Sequence, residues 1–288
     1  FAKTWFNFKK NQTLKRFKKN HFVFAPLGGT ALDYAVVGSD EVFSLEVGLN
    51  RMMYGYGVNS QNIFSYAASF GQTNMAEIEQ KGCRDIIADG LKHFSHICVR
   101  DEASAHTVKE LIGKNPAIHF DPVLLYGFEK ELQTTPVRLP KERYLLVYAY
   151  DTHLNNPAEI TPIRDYARKN GLTIVSPGFY HSWADLNINV NPLELLQFFK
   201  QAECVVTDTF HGSVLSILTN RPFAAFVRDM NANKMNFLLK SLGLGAAKMQ
   251  TGNELPFILT QPIEWAKINK QIQQERLLAV SYLQHTLS

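Results

Sequence analysis

The sequence predicts an α/β fold with mainly parallel sheets, because short apolar runs alternate with helical patterns along the chain. A polar, proline-marked stretch at residues 127–142 separates two such series and is the best linker candidate. The chain has 288 residues, of which 45% are hydrophobic, enough to fill two modest cores. We predict an N-terminal lobe over residues 1–128, a C-terminal lobe over 143–262, and a terminal helix over 263–288 that could pack back on the first lobe.

Apolar runs and helix-ending residues predict the elements of each half. In the first half, strands are expected at residues 34–38, 62–68, 97–99 and 117–120, with helices at 75–88 (interrupted near Gly82) and 101–112. In the second half, strands are expected at 144–150, 172–175, 203–207 and 223–227, with helices at 157–169, 191–202, 211–219 and 234–242. The helix at 157–169 has proline at its start and Gly171 just past its end, the usual asymmetry.

Basic residues are concentrated at the start of the chain. The chain carries 30 Lys and Arg against 26 Asp and Glu, and seven of the basic residues lie within residues 1–20, so the remainder carries 23 against 26. That remainder is not expected to bind nucleic acid. The basic arm also contains aromatic residues, which makes it a candidate for contact with an anionic membrane surface. The alternative is an ordinary helix with its aromatic residues packed on the protein and its lysines in water.

Three cysteines, Cys83, Cys98 and Cys204, are odd in number and widely spaced, and they show no zinc-binding pattern. Cys98 and Cys204 lie in apolar, strand-like runs, where a reduced core thiol is the usual state. No apolar stretch approaches the roughly 20 residues of a membrane-spanning helix, and no signal-peptide pattern begins the chain. We therefore expect a cytoplasmic protein, with the inner face of the cell membrane as a candidate location.

The most informative segment runs from Cys204 to Leu218, where an apolar strand is followed directly by a helix. Asp208 or Thr209 can cap that helix, and His211 then lies in its first turn. Backbone N–H groups and the positive helix dipole make such a turn a candidate anion site. Gly212 would let a ligand approach the backbone, and Ser213 follows it.

His211 could donate to a phosphate or move a proton, or it could be a structural histidine bonded to a nearby carbonyl. The first half offers three similar strand ends. Arg100 could grip a carboxylate or phosphate, or pair with a neighbouring acid. Ser39 and Asp40 follow one strand and Ser69 another. Asp40 and Asp121 could act as acids, bases or loop caps.

Seven segments in order resemble the polysaccharide pyruvyl transferase family. They are Val36–Val42, Tyr66–Gly71, Val99–Glu102, Asp121–Leu125, Thr207–Ser213, Arg221–Phe223 and Phe237–Leu244, within residues 33–245. The resemblance implies two Rossmann-like lobes facing across a cleft, as in the GT-B glycosyltransferases. It implies phosphoenolpyruvate as donor and a sugar of a polysaccharide or a lipid-linked glycan as acceptor, with no metal or organic cofactor.

The sequence departs from the family pattern in two places. Characterised members often carry an arginine two residues before the motif histidine, where it is thought to hold the donor, and Thr209 occupies that position here. The strand and the glycine- and asparagine-containing loop that usually begin the family are not in this chain, so the N-terminal lobe could lack part of its sheet.

For such a reaction, the positions of these residues at strand ends and at the start of a helix lead to a hypothesis about their roles. His211, Asp40 and Asp208 are the candidates for proton transfer. The candidates for substrate binding are Arg100, Ser39, Ser69, Thr209, Gly212 and Ser213. One alternative is a GT-B glycosyltransferase that uses a nucleotide sugar, with Glu194 or Asp229 holding the ribose. The other is a non-catalytic protein that binds or assembles glycans.

Overall fold

A computed structural model describes residues 1–24 and 31–288. Its contacts divide the chain into two compact units. The large-sheet unit comprises Phe1–Phe24, Gly127–Arg228 and Gly243–Trp265. The small-sheet unit comprises residues 31–126, then Asp229–Leu242 and Ala266–Ser288.

The large-sheet unit is a six-stranded sheet with helices packed around it. Its strands are β6 Tyr144–Tyr148, β7 Thr173–Pro177, β8 Leu186–Ile188, β9 Cys204–Thr207, β10 Phe223–Phe226 and β11 Lys248–Met249. Its helices are α1 Ala2–His21, α6 Glu131–Thr134, α7 Pro157–Lys169, α8 Pro192–Gln201, α9 Phe210–Leu218 and α11 Leu255–Thr260. Each pair of neighbouring strands is parallel.

The strand order of this sheet is β11-β10-β9-β6-β7-β8. The chain first builds outward from β6 through β7 to β8, and then returns to place β9 on the other side of β6. Tyr148 at the end of β6 lies in register with Thr207 at the end of β9. This reversal is the topological switch point of an open α/β sheet, the edge at which ligands bind in such folds.

Asparagine residues fix where the main helices of this unit begin. The side chain of Asn156 accepts the N–H of Ala158 ahead of Pro157 at the start of α7. Asn191 forms a capping box with Glu194 at the start of α8. The core between these helices and the sheet includes Leu145, Val147, Ile163, Ile174, Val206, Phe226 and Leu255.

Helix α1 packs on the large-sheet unit. Phe6 is buried, with its ring 5.6 Å from that of Tyr180, and Lys3 forms a 3.0 Å ion pair with Asp151. Residues 1–20 are predicted to belong to the N-terminal lobe, whereas these contacts group them with the second half of the chain. The reason is that the apolar partners of α1 follow β7, a pairing that local sequence pattern does not reveal.

The small-sheet unit contains two parallel sheets and the C-terminal helix. Its strands are β1 Ala35–Val37, β2 Ile63–Ser65, β3 Phe94–His96, β4 Cys98–Val99 and β5 Ala117–Ile118. Its helices are α2 Met75–Gln80, α3 Arg84–Leu91, α4 Glu102–Ile112, α5 Pro122–Tyr126, α10 Ala232–Ser241 and α12 Trp265–Thr286. Strands β1, β2 and β3 form one sheet, and β4 pairs with β5. In α12, Tyr282 donates to the carbonyl of Ser65 at 3.1 Å.

Isolated parallel bridges align the strand ends of this unit. Ala68, beyond β2, bridges to Asp40 beyond β1 and to Val99 in β4. The residues that follow these strands therefore meet at one edge, as the parallel α/β prediction requires.

The predicted α/β class with parallel sheets is confirmed, and the observed elements differ from the predicted ones only locally. The interruption expected near Gly82 (φ 62°) separates two helices, and the second continues to Leu91, beyond the predicted end at residue 88. The predicted linker contains the short helix α6. Among the described residues, no helix combines the length and the apolar character needed to cross a membrane.

Candidate functional site

Asp208 follows β9 at the switch point and is fully buried. The backbone N–H of Tyr150, just beyond β6, donates to its Oδ1 at 3.2 Å. Its other carboxylate oxygen, Oδ2, lies 2.5 Å from Nδ1 of His153. The loop after β6 and the end of β9 are thus joined through one carboxylate, as the strand order allows.

Burial raises the pKa of the Asp208 carboxyl group, an effect opposed by the hydrogen bond and charge of His153. The contact between Oδ2 and Nδ1 fixes which ring nitrogen of the histidine points at Asp208. The His153 side chain is only partly buried. The His153–Asp208 pair can therefore hold an imidazole in one orientation while its second nitrogen acts on a ligand.

Arg228 lies just beyond β10, beside the pair. Its Nε atom is 3.8 Å from Oδ2 of Asp208, and its Nη1 atom is 2.8 Å from Glu159 in the first turn of α7. The guanidinium also lies over the ring of Phe226, 4.9 Å from the ring centre. The side chain is 30% exposed, so it brings a positive charge to this edge within reach of solvent.

His211 is half-buried in the first turn of α9, next to the ring of Phe210. Thr209 is the N-cap, and its Oγ1 accepts the N–H of Gly212 at 2.8 Å. The N–H of Thr209 in turn donates to Oγ1 of Thr207 at 3.0 Å. These two backbone donors are used within the protein, so the predicted anion site cannot use them, and Thr209 acts as a cap.

Gly212 serves packing rather than ligand approach. A Cβ atom at this position would lie 2.0 Å from Oγ1 and 2.8 Å from Cβ of Thr207. The glycine therefore lets α9 pack closely on β9, which corrects the prediction that it leaves room for a ligand. Ser213 is fully buried, which likewise removes it from contact with a substrate in this structure.

In the small-sheet unit, Arg100 is held between two carboxylates. Its Nη1 lies 3.1 Å from Asp121 and its Nη2 lies 3.1 Å from Asp40. Arg100 is 2% exposed and Asp121 is equally buried, while Asp40 is exposed. The geometry favours a structural ion-pair role for Arg100 over binding of the donor substrate, because both of its terminal amino groups already pair with carboxylates of the protein.

Lys234 from α10 adds a second cation to this edge. Its Nζ lies 2.7 Å from Glu41 and 3.6 Å from Asp40. Asp40 has a left-handed backbone conformation (φ 78°). Its carboxylate forms ion pairs with two cations, Arg100 and Lys234. Its place between them supports a structural role at least as well as the predicted acid–base role.

Ser69 is fully buried and bonded within the protein. Its hydroxyl donates to Oδ2 of Asp101 at 2.7 Å and accepts the N–H of Gly71 at 3.0 Å. These bonds fix the start of α4, so the predicted substrate contact does not fit its position. Ser39 is half-buried at the end of β1.

The predicted site residues therefore fall into two groups in two different units. Sequence reasoning found Asp208 and His211 but missed His153, Arg228 and Lys234. His153 and Arg228 each follow an apolar strand within a few residues, which is the signal that could have found them. Among residues 1–24 and 31–288, no group of three or more His, Cys, Asp and Glu is placed to hold a metal ion.

UDP-GlcNAc 2-epimerases are among the solved structures with a similar fold. The UDP-GlcNAc 2-epimerase of Methanocaldococcus jannaschii aligns with a TM-score of 0.55 and 11% identity, covering 96% of this chain and 82% of that one. The UDP-GlcNAc 2-epimerase of Neisseria meningitidis, bound to UDP-GlcNAc, aligns with a TM-score of 0.52 and 11% identity over 98% and 81% of the two chains. At this identity the similarity establishes a GT-B-type fold and nothing more.

Sequence comparison gives a more specific result. No protein of curated function matches this chain in sequence. The family model described as polysaccharide pyruvyl transferase matches residues 1–230, which is most of the chain and includes both β9 and α9. The chain therefore belongs to the polysaccharide pyruvyl transferase family.

Proposed function

We propose that this protein transfers the pyruvyl group of phosphoenolpyruvate to two hydroxyls of a sugar in a polysaccharide or lipid-linked glycan, forming a cyclic ketal. The observation that carries the proposal is the His153–Asp208 pair at the switch point, in a chain that belongs to this family. A paired histidine at a ligand-binding edge suits a reaction that must move protons.

The reaction has a simple proton balance. A proton adds to the methylene carbon of phosphoenolpyruvate, which becomes a methyl group and leaves the adjacent carbon electrophilic. One sugar hydroxyl adds to that carbon, the carbon–oxygen bond to phosphate breaks, and a second hydroxyl closes the ring. Of the two hydroxyl protons released, one replaces the proton given to carbon and the other leaves with phosphate. The protein must supply an acid, a base and a site for an anionic donor.

We assign the proton transfers to His153 and His211. With Nδ1 of His153 held by Asp208, its Nε2 is the atom that gives or accepts a proton. His211 enters from the first turn of α9, three residues beyond Asp208. Asp208 itself acts as a positioning residue, because it is fully buried and both of its oxygens already accept bonds.

Arg228 is the cation that we assign to the donor. It lies at the same strand edge as the His153–Asp208 pair and remains partly exposed. A guanidinium can bind a carboxylate or a phosphate through two parallel hydrogen bonds. In this role Arg228 would take over the function of the arginine that characterised family members often carry at the position of Thr209.

A direct assay tests the proposal. The purified protein is incubated with phosphoenolpyruvate and a panel of nitrophenyl hexosides with free hydroxyls, and products are followed by phosphate release and mass spectrometry. We expect phosphate release that depends on the acceptor, together with a glycoside carrying the added pyruvyl mass. His211→Ala and His153→Gln should each lower turnover by about 100-fold or more. His106→Gln, at an exposed position on α4, is the matched control.

Thermal-shift measurements separate this activity from nucleotide-sugar chemistry. Stabilisation by phosphoenolpyruvate, but not by UDP-GlcNAc or other nucleotide sugars, is expected. Glu194, one of the predicted ribose ligands, accepts the N–H of Asn191 at 2.8 Å in the capping box, which gives it a structural task. Stabilisation by a nucleotide sugar alone, without ketal formation on any acceptor, would replace the proposal with glycosyl transfer. Sugar binding without phosphate release would indicate a non-catalytic role.

A further inference from the structure

Helix α1 has two contrasting faces. The side chains that pack inward or are half-buried recur at helical spacing and are Phe6, Asn7, Lys10, Thr13, Leu14 and Phe17. The opposite face carries Trp5, Phe8, Gln12, Lys15, Arg16 and Lys19, all exposed. The inward face explains why the helix stays on the protein, whereas the outward face has no such explanation.

The inward face lies against the carboxyl edge of the six-stranded sheet. Lys10 and Leu14 line a cavity of about 250 Å³ with Tyr148 at the end of β6 and Phe179 just beyond β7. The ammonium of Lys10 lies over the ring of Phe179, 4.6 Å from its centre. The Lys3–Asp151 ion pair ties the helix to the loop that carries His153. The helix is thus attached beside the candidate site.

The outward face combines aromatic rings with positive charge. Trp5 is 61% exposed and Phe8 is 51% exposed. Their rings stack at 5.7 Å, and Lys9 lies over the Trp5 ring at 4.8 Å. Further along the same face come Lys15, Arg16 and Lys19, and residues 1–24 contain no Asp or Glu.

We propose that the outward face of α1 docks on an anionic lipid surface, with Trp5 and Phe8 in the headgroup region and the cations against lipid phosphates. Large aromatic rings are favoured at such an interface, and juxtaposed cations add electrostatic attraction. The chain outside residues 1–20 has more acidic than basic residues, so the excess positive charge of the chain lies in this helix, which would set the side of the large-sheet unit that meets the lipid.

Docking in this orientation would hold the carboxyl edge of β6 and β7 near the lipid surface, because the inward face of the same helix lies on that edge. An acceptor sugar carried on a lipid would then reach the site from the surface. This last consequence rests on the proposed function, whereas docking itself does not and is measured without phosphoenolpyruvate or acceptor.

Vesicle co-sedimentation of the full chain tests the proposal. We compare vesicles of phosphatidylcholine alone with vesicles that contain about 30% phosphatidylglycerol, an anionic content that gives each nearby cation roughly a fivefold gain in binding. The triple variant Lys15→Gln/Arg16→Gln/Lys19→Gln should bind anionic vesicles roughly 100-fold more weakly, since three such gains are lost. Trp5→Ala/Phe8→Ala should also weaken binding. The matched control is Lys92→Gln/Lys114→Gln/Lys141→Gln, three exposed lysines elsewhere, which should bind like wild type.

Circular dichroism confirms that each variant is folded, and glutamine keeps helix propensity close to that of lysine and arginine. Equal binding to neutral and anionic vesicles, or undiminished binding by the triple variant, would overturn the proposal. The proposal would also be overturned if the protein did not bind vesicles and instead self-associated through the same residues. Binding to a short DNA duplex through these residues, without vesicle binding, would overturn it as well. Those results would assign the face to a second copy of the chain or to nucleic acid.

Discussion

The Nδ1 atom of His153 lies 2.5 Å from Oδ2 of Asp208, although the two residues are 55 positions apart. The contact exists because β9 returns to pair with β6, which brings the two strand ends together. His153 gains a fixed ring orientation, and Asp208 gains a partner for a carboxylate that is otherwise buried.

Asp208→Asn should separate orientation of His153 from substrate binding. An amide cannot hold the imidazole in the same tautomer, so turnover is expected to fall about 100-fold or more. The Michaelis constant for phosphoenolpyruvate should change by less than about threefold, because Asp208 is not expected to touch the donor. Asparagine keeps an acceptor for the N–H of Tyr150 and carries no buried charge, so the unfolding free energy should change by less than about 1 kcal/mol.

Steady-state kinetics and denaturant unfolding measure these quantities on the same preparations. Asp208→Glu, which retains the charge, should recover part of the turnover. Full activity in Asp208→Asn would remove the His153–Asp208 pair from the mechanism. A purely structural role for Asp208 would instead appear as a loss of stability in proportion to the loss of activity.

Gly212→Ala should destabilise the large-sheet unit through overpacking. The added methyl group would meet Oγ1 of Thr207 at 2.0 Å, well inside van der Waals contact, and we expect a loss of about 1–3 kcal/mol in unfolding free energy. In a double-mutant cycle with Thr207→Ala, the two changes should be less than additive by about 1 kcal/mol, because the second removes the Oγ1 atom that makes the shortest contact. Gly245→Ala, with no neighbour within 4 Å of the new atom, is the control. If Gly212→Ala is as stable as Gly245→Ala, the close packing of α9 on β9 is not as described.

Local pattern predicted the elements with strong periodicity and clear ends. Helix α7 begins at Pro157 and ends at Lys169 as predicted, because proline and Gly171 mark its ends and one face is apolar. Strands β3 and β8 escaped prediction because each has only three residues and includes polar ones. Such strands form because a neighbouring strand offers backbone partners, which the sequence does not record.

The candidate site was predictable only in part, for the same reason. His211 and Asp208 lie in a contiguous motif, so the sequence displays them together. His153 becomes a site residue only when β6 and β9 are known to be neighbours. For Gly212 the sequence suggested a ligand contact that the structure does not favour. A glycine at the start of a helix is compatible with ligand approach and with close packing, and the position of Thr207 indicates close packing.

Arg100 is predicted to stabilise the small-sheet unit by neutralising Asp121. Arg100→Met should lower the unfolding free energy by about 3–5 kcal/mol, because it leaves the buried Asp121 carboxylate without its 3.1 Å partner. In Arg100→Met/Asp121→Asn much of that loss should be recovered, since no buried charge remains. Denaturant unfolding measures both variants. Should Arg100→Met keep wild-type stability and lose only affinity for phosphoenolpyruvate, Arg100 would be the donor-binding residue first suggested by its position.

His181 is expected to make stability depend on pH. Burial lowers its pKa, and the positive charge of Lys3 acts in the same direction. The hydrogen bond to the Ala149 carbonyl and the charges of Asp208 and Asp151 partly oppose this lowering of the pKa. The unfolded chain, with an ordinary histidine pKa of about 6.5, therefore binds a proton more readily than the folded protein does. The stabilising effect of a neutral His181 is present above about pH 6.5 and is lost as the pH falls below it, by at most about 1.4 kcal/mol per pH unit.

Unfolding free energies measured by denaturant between about pH 5 and 8 test this dependence, since that range brackets the ordinary histidine pKa. His181→Gln can still donate to the Ala149 carbonyl, which His181 Nε2 contacts at 3.1 Å, but it does not titrate. The slope of stability against pH below 6.5 should therefore be smaller in this variant than in wild type. His106→Gln, at an exposed position, should leave the slope unchanged. An equal slope in wild type and His181→Gln would show that protonation of the buried imidazole does not limit stability in acid.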